Sequence, residues 1–244
     1  MRNLILFGLL IILLLAVQFT SAKTVDEVIE KYLRARGGKD KLASVKSIYM
    51  EGAKEIMGRD MTVKVVKEQD KLSRTEIETS VGTDFVMITA KGAWVSSHPG
   101  YEVVEKIADE DLAIWQTALD ISDPLSDYIA KGHKAELLGK DTVEGNNCYK
   151  IKLTTGAGRE MMFWVDTITG LLSQSTGSPI GAGIWNEKGI LTLYKNYKEV
   201  AGVLFAHTYE TRSAGTNAQG IDGEIFFHTI LVNPTIDHKM YSPA

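Results

Sequence analysis

His207 and His228 come nearest to a chemical constellation in this chain. If their strands form a hairpin around the loop near Asn217, the two imidazoles fall opposite each other, with Tyr209 and Glu224 on the matching faces. Two histidines fall short of the three or four protein ligands that zinc takes. The expected role is therefore a cross-strand pair at the wall of a cavity, and no metal is assigned. Arg74, Glu76 and Glu78 alternate along one stretch and invite a carboxylate-pair reading. Alternation of charge also describes the solvated side of a strand, and that is the reading adopted. Cys148 is the single cysteine, placed beside Lys150 and Lys152, where a strand-edge thiol is expected to be inert. His98, His133 and His238 fall in loops or near ends and carry no signal. There is no G-x-S-x-G elbow, H-E-x-x-H, P-loop or C-x-x-C pair, and the glycines around Gly156 and Gly181 lack dinucleotide spacing. The chain is not expected to be an enzyme or to carry a cofactor.

The elements that position these residues are mostly strands. Between Cys148 and Leu172, Tyr149, Ile151 and Leu153 alternate with Lys150 and Lys152, the period-two pattern of a half-buried strand. Thr155, Gly156, Ala157 and Gly158 supply a hairpin loop. In the next strand Met161, Phe163 and Val165 share one face, while Met162 and Trp164 stand on the other. Apolar groups on both faces mean that each side is covered locally, or that one lines a greasy cavity. Asp166 to Gly170 makes the following turn, with an Asp to accept backbone N–H groups and a Gly for the left-handed position.

Upstream, Thr24 and Glu27 form a capping box, and Val25, Val28, Ile29, Tyr32 and Leu33 make the apolar stripe of an opening helix. Gly37 and Gly38 stop it, Glu27 to Lys31 and Glu30 to Arg34 add ion pairs, and a second short helix spans residues 39–45. Strands follow over residues 48–56, 61–68, 72–79, 85–90 and 93–97, linked by two- to four-residue turns as in an antiparallel meander. Residues 107–132 read as helices. Leu112, Trp115 and Leu119, with Ile114, Ala118 and Ile121, form one apolar face, and Pro124 restarts a helix that Gly132 ends. Helices this apolar need a surface, and the concave face of the sheet is the natural one. Strands resume over residues 135–138 and continue over 171–175, 190–197, 203–212 and 221–232, with loops over 178–187 and 213–220.

Residues 1–22 form an apolar run behind Arg2 that ends in Thr20, Ser21 and Ala22, the pattern of a secretory signal peptide cleaved after Ala22. With no cysteine at that point to carry a lipid, the mature chain is expected to be soluble in the periplasm. Residues 23–244 show no internal repeat or linker and are expected to form a single domain. With 27 basic against 31 acidic side chains and no basic stripe, nucleic acid is excluded as a partner.

Several segments together resemble the LolA-like superfamily, and most closely its outer-membrane lipoprotein-sorting branch. They are TVDEVIEKYLRARGGKDKL followed by SIYMEG, AWVSSHPG, DPLSDYIAKGHKAELLGKDTVEGNNCYKIKL, FWVDTITGLL, YKEVAGVLFAHTYET and ILVNPTID. The chain departs from the pattern near its end, with Met240, Tyr241, Ser242 and Pro243 where relatives tend to place a Phe before the final Pro. The resemblance implies a mainly β fold with some α, an open antiparallel half-barrel whose concave face is covered by helices and whose interior receives acyl chains. It implies a carrier of acylated lipoprotein or lipid, with a membrane-bound donor or acceptor protein as a further partner and the chain acting as a monomer. The alternative is an envelope regulator or sensor that uses the same fold to contact a membrane partner.

The strand patterns independently give more apolar residues than one core needs. Methionine suits a surface that must repack around flexible chains. The expected cavity lining is Met50, Met61, Val63, Val65, Phe85, Met87, Trp115, Met161, Phe163, Phe205 and Tyr209.

Overall fold

The computed structural model describes residues 23–56, 58–80, 82–96, 103–122, 124–176, 190–213 and 223–241. The expected signal peptide over residues 1–22, the expected loop residue His98, the expected 178–187 loop and nearly all of the expected 213–220 loop fall outside them. The chain opens with helix α1, Val25–Ala35. Thr24 Oγ1 accepts from the Glu27 N–H at 3.2 Å and the Glu27 carboxylate accepts from the Thr24 N–H at 2.9 Å, so two free amide donors are satisfied reciprocally. That use of Glu27 corrects one expected ion pair. Lys31 instead donates to the carbonyls of Thr167 and Ile168 at 2.6 and 2.9 Å, while Glu30 and Arg34 pair as expected. Helix α2, Lys39–Ser44, follows after Gly37 and Gly38.

The strands are β1 (Ser47–Ile56), β2 (Arg59–Glu68), β3 (Leu72–Thr79), β4 (Gly82–Thr89), β5 (Gly92–Ser96) and β6 (Val104–Lys106), then β7 (Lys134–Val143), β8 (Asn146–Thr154), β9 (Glu160–Asp166), β10 (Leu172–Thr176), β11 (Ile190–Val200), β12 (Val203–Ser213) and β13 (Gly223–Val232). They make one 13-stranded sheet in the order β6-β5-β4-β3-β2-β1-β13-β12-β11-β10-β9-β8-β7, antiparallel throughout. Each half is a meander of neighbours in sequence, and the two halves are joined where the first strand pairs with the last. At that seam the register shifts between Glu51 and Gly52, and a Cβ on Gly52 would lie 2.2 Å from the Phe226 carbonyl oxygen.

One face of the sheet carries α1. Val28, Ile29, Tyr32 and Leu33 share a core with Val63 and Val65 of β2, Ile151 and Leu153 of β8, and Phe205, Ile225 and Phe227 of β12 and β13. Strands sit about 4.8 Å apart in a sheet, so a flat one would hold β2 and β8 roughly 34 Å from each other. Their common core with one helix therefore requires the sheet to curl around it. The sheet is not closed, and β6 and β7 remain its edges. This is an open half-barrel with helical cover on its inner face.

The region 107–132 is less helical than its periodicity suggests. Only α3, Leu112–Trp115, and a 3-10 turn, Gln116–Leu119, form, and residues 124–132 run as successive turns. The Ile107 N–H donates to the Ala93 carbonyl at 2.8 Å, which prolongs the β5–β6 pairing, and Asp127 takes a positive φ of 49° that an α-helix cannot accommodate. The short helical piece still does the covering job. Leu119 and Trp115 pack with Val86, Ile88 and Ala93 on the inner face of β4 and β5.

The outer face carries two smaller clusters. Val66, Leu72 and Met87 pack with Phe85, Trp94, Ile236 and Tyr241, so the tail after β13 folds back over β2 to β5. Arg74 belongs there and is buried, with its guanidinium 4.0 Å from the Phe85 ring and 2.5 Å from Glu76, so this strand face is not solvated as expected. Cys148 is likewise buried, against Val143, Trp164 and Leu193, and not at an exposed edge.

Candidate functional site

Between α1, the inner face of the strands and segment 117–133 lies a cavity of about 570 Å³. Ile48, Met50 and Val65 wall it from β1 and β2, and Met161, Phe163 and Leu172 from β9 and β10. Tyr194 and Tyr197 of β11, Phe205 and Tyr209 of β12, and Tyr32 of α1 complete an aromatic side. Tyr209 stands edge-on to both Tyr194 and Phe227, with ring centroids 5.3 and 5.4 Å away. The hydroxyls are held by the wall: Tyr194 OH bonds Ser175 Oγ at 2.8 Å and Tyr197 OH donates to the Leu172 carbonyl at 2.9 Å. These bonds satisfy the polar ends of two rings in the wall, as burial of a tyrosine requires.

Six of the eleven expected residues line this cavity: Met50, Val65, Met161, Phe163, Phe205 and Tyr209. Val63 and Met61 share the inward register with Val65, but Val63 is fully buried in the core and neither reaches the hollow. Trp115 packs in the Leu119 cluster at the β4–β5 end. Phe85 and Met87 are on the outer face. Met87 pairs with Arg74, which pairs with Val66, whereas the inward row runs Val65, Thr75, Val86. Both faces of β4 are apolar, so composition alone could not tell which one points in.

Part of the lining is polar and charged. Lys67, Gln69 and Asp70 approach from the end of β2, Asp120, Lys131 and His133 from the covering segment, and Arg159 from the start of β9. Lys131 Nζ lies 2.5 Å from Asp120 Oδ2, and Ser122 donates to Asp120 from both its N–H and its hydroxyl. Burial pushes the Asp120 carboxyl up, but the bonds from Lys131 and Ser122 more than offset it and hold its pKa below the ordinary carboxylate value. Burial lowers the Lys67 pKa, with Asp120 acting against it. Burial, then the Lys131 charge, lowers that of His133. His133 Nδ1 accepts the Gly156 N–H at 3.1 Å, which leaves the proton of the neutral ring on Nε2.

Arg36, also in the lining, is committed to structure. Its Nε donates to the Leu204 carbonyl at 2.8 Å, its Nη1 to the Tyr32 hydroxyl at 2.8 Å, and the Leu204 N–H returns a bond to the Arg36 carbonyl at 2.9 Å. This close approach needs Gly37, at φ 120°, because a Cβ there would lie 2.3 Å from the Gly202 carbonyl oxygen.

The expected histidine pair does not form. Thr208 pairs with Phe226 and Tyr209 with Ile225, one residue out of the expected register. In a sheet that slip sends the two side chains to opposite faces. His207 is buried and donates from Nδ1 to the Phe227 carbonyl at 2.7 Å, whereas His228 is exposed. Among the described residues no group of three or more His, Cys, Asp or Glu could hold a metal ion. Sequence reading missed the lining cations. One signal was present, since Lys67 continues the inward row of Val63 and Val65, a place where a lysine is unexpected.

No protein-family model matches the chain, and no curated protein matches it. Solved structures do. A DUF1329 family protein from Desulfovibrio piger superposes with a TM-score of 0.56 at 13% identity, over 91% of this chain and 98% of that one. A LolA superfamily protein from Nitrosomonas europaea superposes with a TM-score of 0.53 at 11% identity, again over 91% and 98%. At such identities the likeness is one of fold, and it extends over nearly the whole length of both chains. The chain has the LolA-like fold.

Proposed function

We propose that this protein is a carrier in the cell envelope that shields the acyl chains of a lipid or lipoprotein inside the half-barrel. The observation that carries this reading is the hollow itself, about 570 Å³ walled by Met, Phe, Val, Leu, Ile and Tyr side chains where a solid core would close. That volume falls within the ~300–1,000 Å³ of sites that bury most of a small ligand. Each methylene moved from water into such a wall contributes about 0.8 kcal/mol. Ten of them give a gross gain of about 8 kcal/mol, from which the cost of ordering the chain and losing its free motion is subtracted. No helix among the described residues is long and apolar enough to cross a membrane.

Native mass spectrometry of protein recovered from its own host, paired with titration of a fluorescent acyl probe, tests the reading. Co-purified lipid and a saturable probe signal displaced by fatty acid are expected. Protein that carries no lipid and gives no probe signal overturns it.

A further inference from the structure

We propose that the cavity takes one acyl chain and no more, so that the ligand is a single-chain amphiphile, a fatty acid or a lysolipid, bound one to one. The inference rests on the carrier reading and narrows it to a class of ligand. It comes from capacity. A dry cavity of about 150 Å³ takes benzene, which is roughly 25 Å³ for each carbon. At that ratio a cavity of about 570 Å³ accommodates about 20 carbons. One palmitoyl or stearoyl chain brings about 16 or 18 carbons, the two chains of a diacyl lipid at least about 32, and the three of a triacylated lipoprotein about 50, so the first fits and the others overfill the space. Charged side chains, Lys67 and Asp120 among them, take part in the lining, which leaves less than the whole volume for an apolar tail.

The wall is braced against the widening that a second chain would require. Side-chain bonds cross the strands that carry the lining, from Ser175 of β10 to Tyr194 of β11 and from Tyr197 of β11 to the Leu172 carbonyl of β10. Helix α1 is tied to β12 by the Arg36 and Leu204 bonds, which run in both directions, and to the β9–β10 turn by Lys31. Segment 117–133 is closed by Lys131 and Asp120, and Gln69 holds it by accepting the Ile121 N–H at 2.8 Å. Lifting α1 to make room breaks its bonds and exposes Val28, Ile29, Tyr32 and Leu33, all of them buried. Those side chains hold about 18 carbons, as many as the second chain would bury, so the exchange gains no apolar contact and loses the hydrogen bonds.

Displacement of the fluorophore N-phenylnaphthylamine by saturated fatty acids of rising length tests the proposal. Affinity is expected to rise at least about twofold with each added methylene, the transfer gain less the cost of ordering, and to level off by about 20 carbons. In Met161→Trp the larger side chain takes the room of about two or three carbons, and the plateau is expected to shift down by that number. A second arm mixes the protein with vesicles of palmitoyl-oleoyl phosphatidylcholine that contain lysophosphatidylcholine as a minor component, followed by native mass spectrometry. Protein with a single lysolipid, and none with the diacyl lipid, is expected. A diacyl lipid or two lysolipids on one protein, or affinity that climbs without a plateau, overturns the one-chain limit and leaves the carrier reading standing. A plateau that stays in place in the folded variant overturns the assignment of the limit to this cavity; should the variant not fold, the series and the vesicle arm on the unaltered protein still decide. Failure of fluorophore, fatty acids and lysolipid alike to bind overturns the carrier reading, and this proposal with it.

Discussion

Lys131 and Asp120, eleven residues apart, meet at 2.5 Å and close segment 120–131 into a loop beside the cavity. Gln69 ties that loop to the β2–β3 turn by accepting the Ile121 N–H at 2.8 Å, and the Asp70 N–H donates to the Leu119 carbonyl at 3.2 Å. Both charged side chains are about three-quarters buried, so removing one leaves the other poorly solvated. Asp120→Asn is expected to cost about 1–3 kcal/mol in denaturant unfolding and to speed release of a bound acyl probe in stopped-flow. The folded pKa of Asp120 is lowered, so its contribution is present above about pH 4 and is lost as pH falls through the folded value. Unchanged release in the variant would show that the loop does not govern the mouth.

Met161 and Met87 separate the cavity from the core. Met161 lines the hollow and Met87 is buried on the outer face. Met161→Trp fills the cavity and is expected to weaken acyl-probe binding at least tenfold with little change in thermal midpoint. Met87→Ala is expected to cost about 2–5 kcal/mol of stability while the folded protein binds probe as before. The reverse pattern would place the ligand on the other side of the sheet.

Gly37→Ala tests the contact between the end of α1 and the β11–β12 turn. A methyl 2.3 Å from the Gly202 oxygen, at a φ of 120°, forces the two backbones apart. A loss of about 2–3 kcal/mol is expected in equilibrium unfolding. A neutral result would mean that this contact is slack in solution.

Asp141 sits on the outer face with its carboxyl near pKa 2, held down first by the Trp164 Nε1–H at 2.9 Å, then by the Thr142 N–H and Lys150. A depressed carboxylate stabilises the fold above its unfolded value near 4, and the contribution disappears as pH falls through about 2. Asp141→Asn is expected to flatten the acid limb of the stability curve between about pH 4 and pH 2, measured as urea midpoints at each pH. A variant that tracks the unaltered protein through this window would show that Asp141 titrates as a free side chain.

The local signals in the chain were legible because each is satisfied locally. The Thr24–Glu27 box and the stripe through Leu33 describe α1 as it stands. The Asp166 turn closes as read, with Oδ1 accepting from Ile168 and Thr169 and Gly170 at φ 77°. Six of the eleven residues expected to line the cavity do so, and period two on strands such as β9 found them, its inward row of Met161, Phe163 and Val165 lying in the core as read. Segment 107–132 misled because a 3.6-residue pattern records which side chains are apolar, while the backbone there was recruited by the edge of β5 and broken at Asp127.

By itself the sequence determined the strand and turn order, the opening helix and the surplus of apolar residues that implied a hollow. Only the tertiary structure decided which face of β4 looks inward, how β12 and β13 align, and that Lys67, Lys131 and Arg159, distant in the chain, line one cavity. The physical reason is that a strand with grease on both faces carries no sign for in or out. Register and the gathering of charges are fixed by pairings between segments far apart along the chain.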